Sequence, residues 1–231
     1  MKAIEMQARP IALILSVFII FLLAINFFFL NIVNYNISDM EEKALVQQTK
    51  MLSVSEKLEV EKERITFASQ VLDVSEVLKS FSRPQWGLNE MDIAYLIVTE
   101  SRRHSIDPYL VLAVIKTESS FNRNSVSHKG AIKLMQLLPA TAKYISVQKA
   151  DIVITKNEEL FDPITNIKLG IGYLSYLFDK YDDNQKHAII AYNLGPGNMR
   201  KKLQSGSRLP QLYYSKVMKN YNLMLSLSNQ L

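Results

Sequence analysis

Three kinds of hydrophobic pattern follow one another along the chain. Ile11 to Val33 is almost unbroken apolar sequence, interrupted by the strongly polar Ser16, Asn26 and Asn31 only. A run of that length suits a membrane-crossing helix, which needs roughly 20 apolar residues. From Asn34 to Ser80 there is no Gly or Pro, and Leu45, Leu52, Val54, Leu58 and Ile65 recur at mixed spacings of three and four. That predicts one or two long amphipathic helices, either a stalk or a segment packed on the following domain; the heptad is irregular. After the Pro/Gly-bearing boundary FSRPQWGL (81–88), shorter periodic stretches alternate with turn signals. They predict helices over 89–104, from Pro108, within 131–144, from Pro163, over 184–191, from Pro196 to 203, and over 213–227, with a loop over 149–161. The fold class is therefore all-α: a helical domain over 81–231, preceded by a head (1–10), a transmembrane anchor (11–33) and a helical segment (34–80).

One helix carries a candidate chemical group. Asp107 and Pro108 suit the N-cap and first position, and Val111, Val114 and Ile115 share a face with Glu118. A carboxyl group on a buried stripe, near the negative end of a helix dipole, is pushed toward its protonated form. That is the direction a general acid at neutral pH requires. Taken alone, such a carboxylate is more often structural than catalytic. From Ser119 to Ala150 no Asp or Glu follows; the stretch offers Ser, Thr, Asn and Gln, which hydrogen-bond a neutral polar ligand without adding negative charge.

The motifs ESSF (118–121), SxxGA (127–131), LMQLLPATA (134–142) and AYNLGPGN (191–198) resemble those of the soluble lytic transglycosylase family, in that family's order and spacing, from about Leu96 to Val217. The resemblance implies a lysozyme-like helical domain that cleaves peptidoglycan at the β-1,4 bond between N-acetylmuramic acid and N-acetylglucosamine. It implies Glu118 as a single acid/base yielding 1,6-anhydro ends. Ser127, Gln136, Tyr192 and Tyr213 match cleft positions, with Tyr192 expected to bond near Glu118 and orient it. Met135, Asn193 and Gly195 would support the site, Met135 from the core. Two alternatives stay open: a hydrolytic muramidase on the same fold, and a weakly active wall-binding or assembly subunit. Lys133 departs from the family's Gly. Because Ala131 to Gln136 have good helix propensity, an ordinary backbone is expected there, with the lysine charge near the cleft.

Composition narrows the partners. The net charge is +5, without a dense basic run or nucleic-acid motif, so a polymer bearing carboxylates is a better match than nucleic acid. There is no cysteine, and His104, His128 and His187 are scattered without ligand spacing, so neither a metal nor any other cofactor is expected. Lys2 and Arg9 precede the apolar run, and Asp39, Glu41 and Glu42 follow it. The positive-inside rule puts the head in the cytoplasm and the helical domain outside the cytoplasmic membrane, single-pass. Residues 40–80 are the candidate surface for self-association or an envelope partner.

Overall fold

The computed structural model describes residues 2–81, 89–122, 125, 127, 130–149 and 152–230, and only the backbone of residues 2–12. The expected boundary around Pro84 and Gly87, with Trp86, lies outside them. The described chain is helical throughout: α1 (Lys2–Lys79), α2 (Glu90–Arg103), α3 (Pro108–Ser119), α4 (Pro139–Gln148), a 3₁₀ turn (Asn157–Phe161), α5 (Pro163–Lys180), α6 (Gln185–Leu194), α7 (Pro196–Gln204) and α8 (Leu212–Ser228). It divides into two units, Met1–Glu63 and Arg64–Leu231.

From Lys2 onward the first unit lies within α1. Its large apolar side chains, Leu13 to Leu30 among them, are exposed. Among the described residues this is the one stretch long and apolar enough to cross a membrane, with mean hydropathy 2.9 in its most apolar window. A core helix of the same composition would bury those side chains; none of that window is buried.

The second unit is built around α3. Leu110 to Ile115 are six consecutive buried residues, so the helix is apolar on every side and has no solvent face there. The sequence stripe of Val111, Val114 and Ile115 is thus part of a wider burial. α3 packs against α8 and α2; α5 packs against α2, α4 and α6. The C-terminal part of α1 contributes Val71, Val74, Val77 and Leu78 to the same core. The segment 34–80 is therefore exposed through Glu63 and packed near its end.

Local chemistry sets the helix starts. Asp107, Asn89, Asp162 and Asn184 each accept a backbone N–H of the first turn, and Pro occupies the first turn of α3, α4, α5 and α7. The glycines of α5 mark close approaches. A Cβ on Gly172 would lie 3.1 Å from Ile145 of α4. One on Gly170 would lie 2.1 Å from the Met135 sulfur, so there the close neighbour is a turn.

Candidate active site

Glu118 is the penultimate residue of α3, delivered by a helix buried over Leu110 to Ile115 to the edge of a cleft of about 610 Å³. The helix stops because Ser120 turns left-handed (φ 50°, ψ 39°) and Phe121 follows at φ 60°. Two consecutive non-glycine residues in that region need support from their surroundings. Phe121 has it: the ring is 1% exposed and stacks on Phe81 at 5.1 Å, with the Lys116 ammonium 4.0 Å above Phe81. The exit from the Glu118 helix is therefore braced by Phe81, two residues past the end of α1.

Among the described residues the carboxyl group has one side-chain hydrogen-bond partner. Tyr213 Oη, from α8, donates to Glu118 Oε1 at 2.5 Å. Burial raises the Glu118 pKa, and the Tyr213 bond works against that rise. Burial and the nearby carboxylate push the Tyr213 hydroxyl well above its ordinary range, so it stays a donor. α8 is tied to α3 at two further points: Asn220 Nδ2 donates to Thr117 Oγ1 at 2.8 Å, and Tyr221 Oη donates to the Asp107 carboxylate.

A second wall is the tight turn 132–137, closed by reciprocal backbone bonds between Ile132 and Leu137. Lys133 and Gln136 both have positive φ, 63° and 48°. This corrects the expectation of an ordinary helical backbone at Lys133. Helix propensity is overridden by tertiary bonds: Lys133 N donates to Ser125 O, and the buried Asn166 accepts from Met135 N at 2.9 Å and donates to Ile132 O at 3.0 Å. Lys133 is not among the residues that line the cleft, and its ammonium lies 5.1 Å above the Phe161 ring.

Glu118, Ser127, Gln136, Tyr192, Asn193 and Gly195, all named from sequence, line the cleft. Ser127 Oγ accepts from Ala131 N at 3.0 Å. Gln136 Nε2 is engaged by the Ser125 and Lys133 carbonyls, leaving Oε1 as the acceptor it offers a ligand. Gly195 stands at φ 83°, where the α6–α7 turn needs a residue without a Cβ. Met135 is fully buried, as expected for a core residue. Tyr192 differs from its expected role: its hydroxyl donates to Met135 O at 2.9 Å, and Tyr213 holds Glu118 instead. Tyr192 supports the turn that faces the acid.

Other lining residues were not singled out as site residues by the motifs: Leu137, Leu138, Thr141, Tyr173 and Asn198. Tyr173 stacks obliquely on Tyr192 at 5.0 Å. Its signal in the sequence was its place on the α5 face shared with Asn166 and Gly170, the two α5 residues that meet the turn. Among the lining residues Glu118 is the sole carboxylate. Among the described residues no group of three His, Asp or Glu side chains is placed to hold a metal.

An all-helical core that delivers one half-buried carboxylate beside hydroxyl and amide groups accords with the family match: residues 88–214, more than half of the chain, match the transglycosylase SLT domain model, and the chain belongs to that family. Similar proteins include a transglycosylase of Enterobacteria phage PRD1, 38% identical over 124 residues, covering 54% of this chain and 41% of the relative. Another is the membrane-bound lytic murein transglycosylase C of Mannheimia succiniciproducens, 38% identical over 110 residues, covering 44% of this chain and 31% of that protein. The chain thus matches well under half the length of these relatives. Among solved structures, the lytic transglycosylase Slt of Pseudomonas aeruginosa aligns at 28% identity with a TM-score of 0.46, over 65% of this chain and 26% of that one.

Proposed function

We propose that the second unit is a lytic transglycosylase that cleaves the β-1,4 bond between N-acetylmuramic acid and N-acetylglucosamine in peptidoglycan. The observation that carries this reading is the solitary Glu118 carboxyl group, raised in pKa by burial and held by Tyr213, in a cleft lined by hydroxyl, amide and aromatic groups. Family membership and the names of the relatives, lytic murein transglycosylases among them, point the same way.

Most glycosidases use two carboxylates, about 5–5.5 Å or about 6.5–9.5 Å apart. Here one group serves twice. Protonated Glu118 gives its proton to the glycosidic oxygen as the C1–O bond breaks and N-acetylglucosamine leaves with a 4-hydroxyl. The substrate's 2-acetamido group stabilises the positive charge at C1. The Glu118 carboxylate then takes the proton of the muramic acid 6-hydroxyl, whose oxygen bonds to C1. The product ends in a 1,6-anhydro ring, no water is consumed, and Glu118 is protonated again. Tyr213 fixes the rotamer of Glu118; Ser127 and Gln136 bind sugar polar groups; Tyr192, Asn193 and Gly195 hold the opposite wall.

Residues 11–33 anchor the enzyme in the cytoplasmic membrane as a single span, with the head inside and the catalytic unit outside, where peptidoglycan lies. The apolar run and its flanking charges support this. Two experiments test the reading. Glu118→Gln keeps the shape of the site but has no proton to transfer, so turnover on sacculi falls at least to the upper end of the roughly 10²–10⁴-fold range for general acid–base catalysis. Unchanged turnover in a folded variant contradicts the role. A reporter fused after Leu231 that functions outside the cytoplasm alone is active; activity of a cytoplasmic reporter instead overturns both orientation and substrate.

A further inference from the structure

The apolar run contains three strongly polar residues, and α1 treats them differently. Ser16 Oγ donates to Leu13 O and Asn31 Nδ2 to Phe27 O, each at 2.8 Å within the helix. The Asn26 side-chain amide makes no hydrogen bond with any described residue. In a bilayer such an amide has no water to bond and needs a partner from another helix.

Asn26 also has a register. α1 is one continuous helix, so residues seven apart share a face. Counting in sevens from Asn26 gives Val33, Met40, Gln47 and Val54. The adjacent column, three residues earlier in each heptad, is Leu23, Leu30, Ile37, Ala44, Met51 and Leu58. These form the a and d columns of a coiled coil, with the amides Asn26 and Gln47 in the d column. Apart from the half-buried Val33, the described chain leaves them exposed: Ile37 is 49% accessible, Met51 67% and Leu58 66%. The sequence obscures this seam because Leu45 and Leu52 lie off it, and they make the spacing look irregular.

We infer that α1 pairs in parallel with α1 of a second copy of this chain, along one seam that runs from the membrane span to Leu58, with the two Asn26 amides bonded to each other. A strict seven-residue repeat favours a left-handed supercoil of two such helices. Self-pairing suits the seam because it sets identical amides opposite one another, and a single polar residue in a coiled-coil core fixes register and strand number. Lys43, Lys50 and Lys57 flank the seam on one side. Antiparallel pairing brings that basic column against itself. Parallel pairing sets it against Gln48, Ser55 and Lys62, with one like-charge meeting, and Lys62 lies 3.8 Å from its own Glu59. The inference rests on residues 11–33 lying in a membrane.

The chain has no cysteine, so single-cysteine variants of the full chain report proximity cleanly. Membranes bearing Met51→Cys or Leu58→Cys on the seam, and Thr49→Cys or Glu56→Cys on the far face, are washed at alkaline pH and then oxidised. The expected result is retention in the membrane and a disulfide-linked species of twice the chain mass, at least several-fold stronger at 51 and 58 than at 49 and 56. Asn26→Leu in the Met51→Cys background lowers the dimer yield about threefold to tenfold, the range of interhelical side-chain hydrogen bonds in membranes, and Asn26→Gln restores it. Equal yields at all four positions, cross-links of another mass only, or no effect of Asn26→Leu overturn the pairing while anchoring stands. Release by the alkaline wash overturns anchoring, and the pairing with it.

Discussion

Glu118 carries a cost that can be read by titration. Burial holds its folded pKa above the ordinary carboxyl range, so the folded state binds the proton more tightly than the unfolded state. The stabilisation this gives is fully present below the unfolded pKa of about 4.3. It is lost as pH rises through the folded pKa. Glu118→Gln has no such titration and still accepts the Tyr213 hydrogen bond. Chemical denaturation from pH 4 to 8 should show the variant gaining on the wild type as pH rises; a constant difference would mean that the carboxyl is not perturbed. Lys133 provides a second residue-scale test. Left-handed backbone costs a non-glycine residue roughly 1–2 kcal/mol, while the Phe161 contact returns about 0.5–1 kcal/mol. Lys133→Ala and Lys133→Gly both lose that contact, but only glycine relieves the backbone. Glycine should therefore be the more stable of the two by about 1 kcal/mol, after its own entropy cost; equal stability would contradict the strained turn. The two residues differ in legibility for a physical reason. Glu118 sits on a periodic helix, so burial near it could be inferred from spacing. The backbone at Lys133 is imposed by Ser125, eight residues earlier, and by Asn166 and Tyr192, which reach the turn from distant points in the chain.

At the scale of elements, the site is an agreement between α3, α8 and the 132–137 turn. Tyr213 is 95 residues from Glu118, and its neighbour Tyr214 fits the same local pattern, so the family motif named Tyr213 as a cleft position while the bond to Glu118 was expected from Tyr192. The hydrogen bond lowers the Glu118 pKa against the effect of burial. Tyr213→Phe keeps the ring and removes the bond, so the carboxyl pKa should rise. Because Glu118 must start protonated, activity persists to higher pH: the alkaline limb of kcat/KM moves upward. The rate at the optimum falls, by up to roughly 10²-fold, because the acid is less well positioned. A lower rate with an unmoved alkaline limb would assign Tyr213 to substrate binding alone. Helix existence was well marked in the sequence by caps and prolines, as at Asp107–Pro108 and Asp162–Pro163. The turn between α3 and α4 was not, since Ala131 to Gln136 have helical propensities and tertiary bonds override them.

The whole molecule joins an exposed apolar helix to a helical unit whose one cleft carboxylate faces hydroxyl, amide and aromatic groups. The long exposed apolar helix was legible in the sequence because an unbroken apolar run needs no tertiary information. The proposed seam on α1 was not, because Leu45 and Leu52 blur the heptad until the helix is seen to be continuous and exposed. The chemistry turns on whether one carboxylate serves both steps. Digestion of purified sacculi by the full chain in heavy-oxygen water, followed by mass spectrometry of the fragments, decides it directly. A single Glu118 acting as acid and then base yields 1,6-anhydromuramic ends, one water lighter than reducing ends and free of the solvent label. Reducing ends carrying the heavy oxygen would show that water attacks C1, and would contradict the mechanism.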